Sequence, residues 1–272
     1  MFRALSVGFC IACSADTPVD SAVDRQITWS DEFDGPADSA INEELWNFDV
    51  GNGDGGWGNS QLEFDTPYTS NVSLDGEGNL QIVARQEAYG GFDYTSGRIH
   101  TRDKAVVGFG RVEARLKMPF GAGLWPAFWL LGTDFPTIGW PACGEIDIME
   151  LDGAYPLELH GTVHGPGYSG GSGVGSVWSS PQPLTSDFHV YAVDIEPDRL
   201  SFWIDDVLTQ VLTPEDLPSG VTYEQYMHST RADSRRPRSP EMDVGCLCVT
   251  NAAPRGARRG ARARAMRTPP RA

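Results

Sequence analysis

Apolar residues recur at every second position in several segments of this chain, and no segment sustains a helical period over 12 residues. That limits what the chain can become more than any other feature. From Arg111 to Met118, the residues Val112, Ala114, Leu116 and Met118 alternate with Arg111, Glu113, Arg115 and Lys117. Successive side chains of a strand point to opposite faces, so this segment has one apolar face and one charged face. Leu80, Ile82 and Ala84 alternate in the same way, as do Tyr191, Val193 and Ile195, and then Leu200, Phe202 and Ile204, before Asp205-Asp206 turns the chain. Glycine (31) and proline (19) punctuate strands of ordinary length. This pattern predicts an all-β antiparallel sandwich.

Composition narrows the function classes. The 272 residues suffice for one large β domain, and 40% are hydrophobic, enough for a packed core. The net charge of −16 excludes a nucleic-acid binder that works through a general basic surface. Lysine occurs only at 104 and 117, and no GxxxxGK string is present to cradle a phosphate. No apolar run reaches the roughly 18 residues of a membrane span.

The ends differ in character from the middle. Residues 1–13 place Arg3 before a short apolar run that closes on Ile11-Ala12-Cys13. This looks like a secretion signal with a lipid-attachment cysteine at Cys13; a misassigned start is the competing reading. Residues 14–26 form a small, polar tether, and 27–221 read as the β domain. From Arg231 onward there are 11 arginines, no lysine and three acids (Asp233, Glu241, Asp243). Residues 222–272 therefore read as an aberrant basic tail, expected to be disordered, either a wrong-frame translation or a segment that binds an anionic surface. Five cysteines at 10, 13, 143, 246 and 248 make a poor disulfide or zinc framework.

Two long glycine-rich loops, 51–60 and 165–176, carry Trp57 and Tyr168 and read as binding rims. The most informative string is Gly144-Glu-Ile-Asp-Ile-Met-Glu150. In a strand, Glu145 and Asp147 share a face, and Glu150 joins them if a β-bulge near Ile148-Met149 adds one residue. Three acids in six residues repel one another. Paired carboxylates held in different ionisation states are what glycosidic cleavage requires, and an acid between them would keep those states apart. A solvated strand edge and a calcium site are the competing readings. Trp125 and Trp129 precede the string at a spacing that puts both on one face, and Trp57, Trp140 and Trp178 also lie near it or near the loops. Indole faces of this kind stack on sugar rings.

With these residues in view, the chain resembles glycoside hydrolase family 16, and within it the laminarinase-like endo-β-1,3-glucanases. The resemblance rests on E-x-D-x-x-E (Glu145, Asp147, Glu150). It extends over ITWSDEFDG (27–35), GWGNSQLEFDT (56–66), SGRIHTRDK (96–104), GRVEARLKMPFGAGLWPAFWLLG (110–132), LHGTVHGPGYS (159–169) and FHVYAVDIEPDRLSFWIDD (188–206). It implies a β-jelly-roll of two curved antiparallel sheets with a β-glucan chain in the concave cleft. It also implies retaining hydrolysis, with Glu145 as nucleophile, Glu150 as general acid/base and Asp147 tuning ionisation between them. Asn59, Arg98, Trp125, Trp129 and His164 match substrate-binding positions; read alone, Arg98 could equally be a surface ion pair, Asn59 a turn residue and His164 a loop histidine. The partner expected is a polysaccharide, the site of action outside the cell or in its envelope, and the state a monomer. No cofactor is expected.

Two departures from the family pattern stand out. Gln61 and Glu63 exchange the family's usual Glu and Gln, which puts a charge near the cleft rim. After Pro218 the family's apolar strand is missing, so the jelly-roll is expected to lack a C-terminal strand. Glu241-Met-Asp-Val244 reads as a remnant of the last strand, with Gly245 where the family has an Asp that helps hold calcium, which leaves a structural calcium ion open.

Overall fold

The computed structural model describes residues 5–9, 27–218 and 242–251. The alternating segments become strands that stack in two main sheets. Numbered in chain order, the seven-stranded sheet runs β17 (Val207–Leu212), β16 (Arg199–Ile204), β15 (His189–Glu196), β10 (Gly110–Leu116), β1 (Leu5–Phe9), β5 (Leu80–Ile82) and β4 (Val72–Leu74). The six-stranded sheet runs β14 (Val174–Ser179), β13 (Glu158–His164), β12 (Glu145–Glu150), β11 (Leu124–Gly132), β18 (Met242–Asn251) and β9 (Val106–Val107). All neighbours in both sheets pair antiparallel. Two small sheets flank them: β2 (Asn47–Phe48) with β8 (Ile99–His100), and β3 (Glu63–Asp65), β7 (Phe92–Ser96) and β6 (Arg85–Tyr89), in which β3 runs parallel to β7.

The core lies between the two main sheets. Val112, Ala114 and Leu116, the apolar face of β10, are fully buried in one cluster with Phe128 and Leu130 of β11 and Ile146 of β12. Burying side chains of this size is worth about 1.5–3 kcal/mol each. Ala127 and Trp129 form a separate cluster, on the other face of β11. The six-stranded sheet thus spends one face on the core and leaves the other for a site. This is the antiparallel sandwich expected from the alternation, and the β-jelly-roll that the family resemblance implies.

One expectation about the strand inventory is corrected. Part of the supposed basic tail is a strand: β18 lies between β11 and β9, and every residue of β11 has a register partner on it. The C-terminal strand expected to be missing is therefore supplied from residues 242–251. The physical reason is local. Met-Asp-Val-Gly-Cys-Leu-Cys-Val-Thr-Asn is rich in β-forming residues, and the arginines on either side of it conceal that in any average over the tail. Met242–Val244 is thus not a remnant of the last strand but the start of a strand beside β11. At the other end, Leu5–Phe9 of the segment read as a signal pairs with both β10 and β5. The tether (14–26), Cys13 and residues 219–241 and 252–272 of the tail region lie outside the described residues.

Candidate active site

The bulge that Glu150's parity requires is present. Across β11 and β12, Leu131 pairs with Glu145, Trp129 with Asp147 and Ala127 with Glu150, and the register shifts at Ile148. Leu131, Trp129 and Ala127 are two residues apart and share one face of β11, so their three acidic partners share a face of β12. Ile146, Ile148 and Met149 go into the core. On β13 the same face carries His164 opposite Glu145, Thr162 opposite Asp147 and His160 opposite Glu150. Trp125 continues the face along β11. β18 shifts register at the same level of β11, so Gly245 faces Trp129 from the other side.

A second group closes over this face. The Arg98 guanidinium lies 4.9 Å from the ring centroid of Trp129 and 4.9 Å from that of Trp57, sandwiched between two indoles. Its Nε donates to Asp49 Oδ2 at 2.9 Å. Trp57 arrives on the 51–60 loop, where Gly53, Gly55, Gly56 and Gly58 all have positive φ. A Cβ on Gly53 would stand 2.3 Å from the Trp57 ring, so the loop packs its own indole against a bare glycine. The Trp57 indole N–H donates to Asp65 Oδ2 at 2.9 Å. Asn59 stands exposed on the same loop, two residues from Trp57.

A fold of this kind with this face of acids and indoles has known counterparts. Residues 58–233 match the family model of glycosyl hydrolases family 16. The chain belongs to glycosyl hydrolase family 16. Among its relatives, a β-glucanase of Rhodothermus marinus is 42% identical over 193 residues, which is 70% of this chain and 66% of that protein. A glucan endo-1,3-β-glucosidase A1 of Niallia circulans is 35% identical over 71% of this chain and 30% of its own length. The chain thus spans less than two thirds of these relatives. The crystal structure of the laminarinase catalytic domain of Thermotoga maritima superposes with a TM-score of 0.72 at 33% identity, covering 84% of this chain and 90% of that one.

In this family 16 chain the acids are strongly coupled. Asp147 is 4% exposed, with its Oδ2 3.1 Å from His164 Nε2. Burial, then the adjacent Asp147 charge, pushes Glu145 up to about 8; His164 and the Trp140 indole N–H, which donates to Glu145 Oε2, pull the other way. Glu145 and Asp147 also share a hydrogen bond. Glu145 is therefore harder to ionise than an ordinary carboxyl, and the Asp147 charge is part of the reason. Asp147→Asn removes the repelling charge. It is expected to lower the Glu145 pKa and move the acid limb of the kcat/KM profile to lower pH, with a smaller loss of rate than a change at either glutamate. A pH–rate profile of the variant measures this, and an unmoved or raised limb would contradict the coupling.

The neighbouring carboxylates split in the same manner. Burial opposes ionisation of Asp49, but the His100 hydrogen bond and the Arg98 charge hold it down to about 2. Burial and the Glu63 charge push Asp65 up to about 8, against Arg98 and the Trp57 hydrogen bond. Among the described residues, no three His, Cys, Asp or Glu side chains converge to hold a metal ion.

Three sequence expectations are revised here. Tyr168 is no rim residue: it is fully buried, because the chain folds back on itself through the Gly165–Tyr168 bridge. Trp178 packs against the main core rather than the acidic face. Glu63 is not at a rim either. It is fully buried and Gln61 nearly so, because inward positions alternate along β3 while Phe64 points out. Asp49, Asp65, Trp140 and His160 were not singled out as site residues. For His160, placement opposite Glu150 was a readable signal once β13 was paired; the others come from loops and short strands with no period to read.

Proposed function

We propose that this chain hydrolyses internal bonds of a β-glucan, β-1,3 or mixed β-1,3/1,4, by double displacement with retention. The observation that carries the reading is the bulged strand that aligns Glu145, Asp147 and Glu150 on one face of β12, opposite the face given to the core. Glu145 attacks the anomeric carbon while Glu150 protonates the departing oxygen; a covalent glycosyl ester results. Glu150, now a carboxylate, takes a proton from water, which attacks the ester and frees Glu145. Trp125 and Trp129 give apolar faces for sugar rings, and Arg98, Asn59 and His164 give polar contacts. The relatives' names and the Thermotoga maritima laminarinase support this substrate class. Incubation with laminarin should release reducing ends in proportion to enzyme. Tight laminarin binding with no release would contradict the reading and leave a glucan-binding module.

Export fits such a substrate, since a polymeric glucan does not enter a cell, and the charge-then-apolar run ending at Cys13 supports it. The exported form is proposed to act as a monomer, with Cys13 as a possible point of lipid attachment. Mass spectrometry should find a mature chain that starts at Cys13 or within 14–26; an intact Met1 in soluble cytoplasm would refute export. Cleavage before Cys13 also removes Leu5–Phe9 from between β5 and β10, so the same spectrum reports on that sheet.

A further inference from the structure

We infer that Asp65 is a positioning residue of the cleft: it anchors Trp57, and through Trp57 the Arg98 guanidinium against Trp129, and so governs how tightly the glucan is held rather than how fast it is cleaved. The inference takes its substrate from the hydrolytic reading above.

Asp65 serves the 51–60 loop twice. Its backbone closes the base of the loop, donating to Gly51 O at 2.7 Å and accepting from Gly51 N at 2.9 Å. Its side chain, on a residue 1% exposed, takes the indole N–H of Trp57 near the loop tip. Asn52 adds two ties from the loop to the same stretch, donating to Gln61 O at 3.0 Å and Glu63 O at 2.7 Å. Trp57 itself has φ 51° and ψ 29°, a left-handed conformation that a bulky residue rarely adopts without being held. The indole N–H is the polar end of the ring whose face covers Arg98, so fixing that end fixes the face. Arg98 has its own carboxylate partner in Asp49, so the effect of Asp65 on it passes through the Trp57 ring. The other indole on Arg98 belongs to Trp129, the register partner of Asp147.

What this role needs from Asp65 is an acceptor oxygen, not a negative charge. The carboxyl is buried beside Glu63, and its Oδ1 has no hydrogen-bond partner among the described residues, surroundings that favour the neutral acid. An amide oxygen at the same place can accept the same hydrogen bond.

Four variants of the full chain test this on laminarin. Asp65→Leu keeps the branched outline, with bulkier methyls, and loses the acceptor; KM should rise about tenfold, as loss of one buried hydrogen bond implies, with kcat within about threefold. Asp65→Asn should bring KM back to within about twofold of wild type. Trp57→Phe keeps a ring and loses the donor, and should raise KM as Asp65→Leu does, with the double variant no worse than either. A role in folding alone would lower the melting temperature and the active fraction but leave KM in place. Acrylamide quenching of tryptophan emission, with Trp57→Phe in each background to isolate Trp57 among the eight tryptophans, reads the anchor with no substrate present, and the Trp57 share should be quenched more in Asp65→Leu than in wild type. An unchanged KM in Asp65→Leu, an Asp65→Asn as impaired as Asp65→Leu, or additive effects in the double variant would overturn the inference. If Asp65→Leu does not fold, Trp57→Phe with unchanged KM does so. A wild type inactive on laminarin would sink the hydrolytic reading, while the quenching comparison would still decide the anchor.

Discussion

Glu145→Gln should bind laminarin as wild type does and turn it over on the order of 10⁴-fold more slowly, because an amide cannot form the glycosyl ester. Glu150→Gln should lose on the order of 10²–10⁴-fold, the usual worth of a positioned proton donor. Binding survives in both because the sugar-facing groups, Trp125, Trp129 and Arg98, are untouched. Azide separates the two roles. With an activated aryl β-glucoside, Glu145→Ala should yield the α-glycosyl azide, because the small anion attacks from the face the carboxylate vacated. Glu150→Ala should yield the β-glycosyl azide by attack on the covalent intermediate. The opposite pairing would reverse the assignment. The nucleophile also carries a cost in stability. Burial and the Asp147 charge raise its pKa in the fold from the ordinary 4.5 to about 8. Between those values the folded state binds the extra proton, so wild-type stability falls as pH rises through that window. Glu145→Gln lacks this penalty and should melt above wild type at pH 8, the difference closing toward pH 4.5.

Ending the chain at Glu241 is expected to destroy the fold. β11 would lose a partner along its whole length, from Leu124 to Gly132, and β9 would lose its partner as well. Each backbone group left buried and unsatisfied costs about 1–3 kcal/mol, and total stability is about 5–15 kcal/mol, so a few such groups exhaust it. The exposed edge of β11 would also pair with other chains. Thermal circular dichroism with light scattering measures this: the truncated chain should lack a cooperative transition and aggregate. A truncated chain that melts like the full one would show that β18 is not needed in the sheet.

The acidic strand was legible because parity made a definite demand. Glu150 could join Glu145 and Asp147 only through an added residue, and the register shift at Ile148 provides it. The Trp125–Trp129 spacing was legible for the same reason, a period of two. Arg98 was named from the family string alone, and nothing in the residues around it foretold two indoles. The sandwich draws Trp57, Arg98 and Trp129 from three distant segments, and local pattern carries no information about such a meeting. Tyr168 went to the wrong side of the surface because a glycine-rich string looks alike whether it stays outside or folds its aromatic ring inward, and Glu63 because the three residues of β3 are too few to show a period. β18 was missed because composition over about fifty residues outweighed a ten-residue stretch of which six residues are apolar.

The central claim is that two carboxylates on one bulged strand cleave a β-glucan by double displacement. Proton NMR of laminarin at the first turnovers tests it most directly, since the new reducing end appears before mutarotation equalises the anomers. Double displacement predicts that the β anomer accumulates first and the α anomer follows slowly. An α anomer appearing first would mean single displacement by water, and would contradict Glu145 as a nucleophile.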